Sequence, residues 1–160
     1  MMSDKNFVVL LAEDDEHDIA AIKRAWQKHH VANPLYIVND GEACLDFLYR
    51  RGAYSDPESS PRPGILLLDI QMPKLDGLSV LKHIREDQKL RRLPVIILTT
   101  SKAEEDRLKS YDLGANAYIV KPVGFENFSR AVRTINLFWQ LVELPDTDDA
   151  YTSDRGPGAH

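Results

Sequence analysis

The sequence predicts a doubly wound α/β fold in which five parallel strands carry helices on both faces. Three observations predict it. Five short β-branched and aliphatic runs recur along the chain, stretches of helical periodicity separate them, and all but the second run are almost continuously apolar, as strands buried on both faces must be. At 160 residues the chain is long enough for one such domain with a core of its own.

The first run is residues 7–12 (FVVLLA), and Ile19, Ile22 and Trp26 mark one stripe of the helix after it. Residues 35–38 (LYIV) form the second run, followed by a helix with Cys44, Phe47 and Leu48 inward. The third, 65–69 (ILLLD), leads to Leu78, Leu81 and Ile84. The fourth, 95–99 (VIILT), precedes a weaker helical pattern carried by Leu108 and Tyr111. The fifth, 117–120 (AYIV), precedes Phe128, Val132, Ile135, Trp139 and Val142. Right-handed βαβ crossovers join units of this kind, and the expected strand order is the flavodoxin-like 2-1-3-4-5. Residues 51–64 (RGAYSDPESSPRPG), rich in Pro, Ser and Gly, are expected to form a long surface loop. The expected organisation is a flexible N-terminus at 1–5, the domain at 6–144, and a polar, disordered tail at 145–160.

Composition excludes several functions. Twenty Lys+Arg against 25 Asp+Glu give a net charge of −5, which repels DNA phosphates and anionic lipid, so no direct nucleic-acid partner is expected. No apolar run is long enough to span a bilayer, and the start MMSDKNF lacks the features of a signal peptide, so a cytoplasmic protein without a membrane partner is expected. Cys44 is the single cysteine, which excludes an intrachain disulfide and multi-cysteine metal sites; it reads as core filling. His17, His29, His30 and His83 lack metal-ligand spacing and read as solvated, while Trp26 reads as core.

In an open sheet of this type the site lies outside the carboxyl ends of the strands. Strand one runs into Glu13-Asp14-Asp15, strand three ends at Asp69, strand four at Thr99-Thr100-Ser101, and strand five at Lys121-Pro122. Each has an ordinary reading alone: helix-capping acids, a turn residue, a last β-branched position, a surface charge. Their convergence on one sheet edge is different, because clustered carboxylates repel unless something binds among them. A hard divalent cation resolves that repulsion, and Mg2+ fits best because it takes oxygen ligands and leaves room for a phosphoryl oxygen.

These residues resemble the receiver domain of two-component response regulators, over about residues 6–144. The spacing of Asp69, Thr99 and Lys121 agrees with that family, and the segment 69–77 (DIQMPKLDG) supplies its Met-Pro turn and Asp-Gly helix start. The resemblance implies that Asp69 takes a phosphoryl group from a histidine kinase phosphohistidine. It further implies that Glu13, Asp14 and Asp69 form the metal site with the backbone carbonyl of Gln71. Thr99 and Lys121 would bind phosphoryl oxygens, and Thr99 with Tyr118 would act as the switch, although Tyr118 reads equally well as a half-buried strand tyrosine. Thr100 suits the family's need for a small residue beside the phosphate, and Gln71 and Ser101 occupy positions that influence phosphoryl lifetime. The chemistry is consistent with this: a carboxylate attacking phosphorus gives an acyl phosphate, and phosphoryl transfer needs positioning and charge neutralisation above all.

Other classes fit the residues less well. An aspartate-nucleophile phosphatase of the haloacid dehalogenase type needs a second Asp two residues beyond the nucleophile, and that position is Gln71. The EDDEHD segment is the opposite of a dinucleotide phosphate cradle. A degenerate receiver serving only as a binding module is disfavoured by the full set of site residues. With no sequence left for an output domain, the expectation is a non-enzymatic regulator acting through protein contact. The loop before strand three, the LTTS run and the ending FWQLVELP resemble single-domain regulators paired with phytochrome-type histidine kinases. A homodimer is expected through the last helix, where Ala131, Leu137, Phe138 and Leu141 widen the apolar surface beyond one stripe.

Overall fold

Strand and helix alternate five times in the computed structural model, which describes residues 7–142, with side chains as far as Ile135. The elements are β1 (Val8–Ala12), α1 (Glu16–Lys28), β2 (Leu35–Val38), α2 (Gly41–Tyr49), β3 (Pro63–Asp69), α3 (Gly77–Glu86), β4 (Val95–Thr99), α4 (Lys102–Lys109), β5 (Ala117–Val120) and α5 (Phe125–Val142). All strand pairs are parallel, in the expected order β2-β1-β3-β4-β5. β3 and β4 are buried at every position, which is why their sequences are continuously apolar, whereas the edge strands β2 and β5 are only partly covered.

Side-chain caps fix where four of the helices begin. Asp15, Asp40, Asp76 and Ser101 accept hydrogen bonds from the backbone N–H groups of Asp18, Ala43, Ser79 and Glu104, so α1, α2 and α4 start within about four residues of a strand's carboxyl end and α3 starts after the longer 70–76 turn. The sheet divides the core in two. Leu10, Leu66, Leu68 and Ile97 face α2, α3 and α4, while Val9, Leu11, Ile65, Leu67, Ile96 and Leu98 face α1 and α5. Cys44 is fully buried in the first layer, and burial pushes its thiol up to about 12.

The structure corrects several expectations of detail. β3 begins two residues early, at Pro63, and residues 51–64 are not wholly irregular: a 3-10 turn at Gly52–Tyr54 seats the Tyr54 ring 5.3 Å from that of Phe47, and Ser60 is buried. Tyr111 lies beyond the end of α4 and is 57% exposed, so it is no part of that helix's inner stripe. Trp26 is half-buried rather than fully core, with its indole N–H bonded to the Asn33 carbonyl at 2.8 Å. The four histidines are exposed as expected, but two have ring partners: His29 stacks on Phe125, and His83 Nε2 meets the Tyr49 hydroxyl at 3.1 Å. The expected flexible N-terminus at 1–5 and the tail at 145–160 lie outside the described residues, as do the side chains of Leu137, Phe138, Trp139, Leu141 and Val142.

Candidate functional site

Parallel register carries the polar strand ends to one edge. Ala12 of β1 pairs with Leu68 of β3, which sets Glu13 beside Asp69; Asp69 pairs with Leu98 of β4, and Thr99 pairs with Val120 of β5, immediately before Lys121. The Lys121 N–H donates to the Thr99 carbonyl at 2.8 Å, extending the ladder to the site. Close backbone packing completes the frame. A tight turn closed by the Leu75 N–H on the Pro73 carbonyl, at 2.7 Å, brings the start of α3 back onto the end of β3. There Gly77 donates to the Ile70 carbonyl at 3.0 Å, and a Cβ at position 77 would lie only 2.2 Å from the Asp69 carbonyl oxygen.

Glu13, Asp14 and Asp69 offer carboxylate oxygens that all lie within 4.8 Å of one another. Glu13 and Asp69 are buried and Asp14 is exposed. Lys121 reaches into this group. Its Nζ donates to Glu13 Oε1 at 2.9 Å and to Asp18 Oδ2 at 2.9 Å, and it stands 3.2 Å from Asp69 Oδ1. That last contact is an ion pair outside hydrogen-bond alignment, so Asp69 Oδ1 is buried without a hydrogen-bond partner. Glu13 Oε2 accepts from the Asp15 N–H at 3.0 Å.

Burial dominates the electrostatics. It raises the Glu13 carboxyl to about 7, against the opposing pull of the Lys121 and Asp15 hydrogen bonds. Asp69 is raised as well, by burial opposed by the Lys121 charge. For Lys121 burial works to lower the pKa, but the bonds to Glu13 and Asp18 and the charge of Asp69 outweigh it, so the ammonium is held more firmly than usual. Crowded carboxylates, one with an orphaned buried oxygen, form a donor set that suits a hard divalent cation.

The structure thus brings together Glu13, Asp14, Asp69 and Lys121, with Thr99 at the adjacent strand end. The buried Thr99 hydroxyl faces the Ile119 carbonyl at 3.5 Å. Gln71 lies just beyond Asp69 and is exposed, and its backbone N–H opposes the rise that burial imposes on the Asp69 carboxyl. Tyr118 is half-buried, with Lys109 Nζ 5.9 Å from its ring centroid. Sequence reasoning missed Asp18. The available signal was its place on α1 four residues before the buried Ile22, an acid on the helix's inward face.

A family model for the response regulator receiver domain matches residues 9–133. By sequence the chain is 38% identical over 139 residues to the response regulator Rcp1 of Synechocystis sp., covering 86% of this chain and 92% of that protein. Among solved structures, the bacteriophytochrome response regulator RtBRR superposes with a TM-score of 0.76 at 38% identity, over 91% of this chain and 89% of that one. A manganese-bound form of Rcp1 superposes with a TM-score of 0.63 at 38% identity, over 83% of this chain and 94% of that one. The phosphorylated cyanobacterial phytochrome response regulator RcpA gives 0.65 at 36% identity, over 84% and 94% respectively.

Proposed function

This chain belongs to the response regulator receiver family, and from that premise we propose that it accepts a phosphoryl group on Asp69 from a histidine kinase phosphohistidine, in a magnesium-dependent reaction, and signals through protein contact. The observation that carries the reading is the buried Asp69 Oδ1, without a hydrogen-bond partner and set between an ammonium and two further carboxylates. An Asp69 carboxylate oxygen forms the new P–O bond as the P–N bond breaks, and the departing imidazole keeps the electron pair and takes a proton from water. Asp14, Asp69 and the Gln71 carbonyl, with Glu13 acting through water, are the residues that would hold Mg2+, which when bound neutralises charge on the incoming phosphoryl oxygens. Lys121 and the Thr99 hydroxyl stabilise the equatorial oxygens. The manganese-bound Rcp1 and the phosphorylated RcpA support this assignment by relationship.

On the same reading the receiver unit is residues 6–144, the chain turns over only its own aspartyl phosphate, and it works in the cytoplasm. No helix among the described residues is long and apolar enough to cross a membrane. The kinase is of phytochrome type, as the relatives' names suggest. Movement of the Thr99 hydroxyl toward a bound phosphoryl group frees space for the Tyr118 ring, biasing the surface of α4, β5 and α5. A homodimer through α5 is part of the same reading; of the residues expected to widen its apolar surface, Ala131 is instead buried in the core layer under α1 and α5, and the side chains of Leu137, Phe138 and Leu141 lie outside the described residues. The reading is tested by incubating wild type and Asp69→Asn with acetyl phosphate, with Mg2+ or EDTA, and following incorporation by intact-protein mass spectrometry. Phosphate should appear only on wild type with Mg2+; equal incorporation into Asp69→Asn would sink the assignment.

A further inference from the structure

Lys121 has three ammonium protons and three carboxylates around it, and it does not treat them alike. Oriented hydrogen bonds run to Glu13 Oε1 and Asp18 Oδ2, both at 2.9 Å, while Asp69 Oδ1 at 3.2 Å is left without one. Glu13 and Asp69 come from strand ends. Asp18 comes from the first turn of α1, where its own N–H is bound by the capping Asp15, so it approaches the ammonium from the helix side. Its side chain keeps 30% of its exposure, whereas the Lys121 side chain keeps only 12% and that of Asp69 3%.

We propose that Asp18 is a positioning residue for Lys121: it draws one ammonium proton toward α1 and so keeps the Asp69 oxygen open for a divalent cation. The argument is one of competition. If Asp18 loses its charge, the ammonium turns to an acceptor within its reach, and Asp69 Oδ1 already lies 3.2 Å away in an ion pair that lacks an aligned hydrogen bond. A fully formed, charge-assisted bond there must be displaced before a cation can use that oxygen, so cation affinity falls. Were Asp18 only a half-exposed ion-pair partner, its removal would alter stability slightly and cation binding no more than the loss of any nearby charge.

The inference deepens the phosphoacceptor reading, but its first measurement needs no phosphoryl donor. Mg2+ is titrated by calorimetry into wild type, Asp18→Asn, Asp18→Glu and Glu16→Gln, the last removing an exposed carboxylate from the same helical turn. Asp18→Asn should bind Mg2+ about fivefold more weakly than Glu16→Gln, corresponding to about 1 kcal/mol. Asp18→Glu should recover most of the loss. In acetyl phosphate reactions the Mg2+ concentration giving half-maximal rate should rise by the same factor. Equal affinity in Asp18→Asn and Glu16→Gln overturns the proposal, as does a fall in the saturated rate with unchanged Mg2+ dependence. If wild type takes up no phosphate at any Mg2+ concentration, the phosphoacceptor reading fails while the titration still decides the role of Asp18.

Discussion

Gly77→Ala sets two physical effects against each other. Gly77 is the first residue of α3, where alanine's helix preference alone would raise stability by roughly 0.5–1 kcal/mol. The packing says the reverse. An added Cβ would lie 2.2 Å from the Asp69 carbonyl oxygen, 2.7 Å from Ile70 Cα and 2.9 Å from the Asp69 carbonyl carbon. Against ordinary contacts near 3.5 Å, the worst overlap is roughly 1 Å, and all three atoms are backbone, so no rotamer relieves it. Overpacking of this kind costs about 1–3 kcal/mol, which leaves up to about 2.5 kcal/mol after the helix preference is subtracted. At 2–4 °C per kcal/mol for a domain of this size, thermal unfolding followed by circular dichroism should show Tm lowered by up to about 10 °C. Function should suffer more than stability, because the displaced backbone is that of Asp69 itself, and a misplacement of about 1 Å can cost on the order of a hundredfold in rate. Acetyl phosphate labelling well below Tm should therefore be severely slowed, while Ser79→Ala, at an exposed position in the same helix, leaves it intact. A Gly77→Ala protein at least as stable as wild type and labelled at the wild-type rate would refute the close-packing argument.

Two further outcomes are expected. Burial raises the Glu13 carboxyl from 4.5 to about 7 and raises Asp69 too, so without a divalent cation the folded state binds protons more tightly than the unfolded chain. Their contribution to stability is then complete below the unfolded values and is lost as pH rises through about 7; in EDTA, urea midpoints of wild type relative to Glu13→Gln should fall from about pH 5 to 7.5, and a difference that rises over that window contradicts the burial of Glu13. Arg85 ties α3 to two loops by donating to the carbonyls of Gly114, Arg91 and Leu93 and to Asn116 Oδ1. Arg85→Lys should lose roughly 1–3 kcal/mol in denaturant unfolding, because an ammonium cannot span that fan of acceptors; wild-type stability in Arg85→Lys would remove the clamp.

The parts of this fold that were legible are those written in local patterns. The buried runs of β3 and β4 allow no other reading than central strands, and the strand order follows from alternation and handedness. The strand-end residues were legible because polar groups ending apolar runs are conspicuous. Tyr111 misled because a helical period continues on paper past Lys109, whereas the chain leaves the helix there. Pro63 and Gly64 read as loop by propensity, yet pairing with β1 draws Pro63 into the sheet. Asp18 was hidden because an acid in the first turn of a helix already has a sufficient explanation in the helix dipole. Only the fold, which swings Lys121 across from β5 to meet α1, shows that it does more.

The central claim is that Asp69 is where phosphate is carried. Borohydride reduces an aspartyl phosphate to homoserine, leaving a permanent mark at the modified residue. Wild-type protein phosphorylated by a histidine kinase in Mg2+, reduced and mapped by peptide mass spectrometry, should carry homoserine at position 69, with none at Asp14 or Asp18 and no reduced side chain at Glu13. Homoserine at another position with Asp69 untouched, or the same mark at 69 when EDTA replaces Mg2+, would contradict the account.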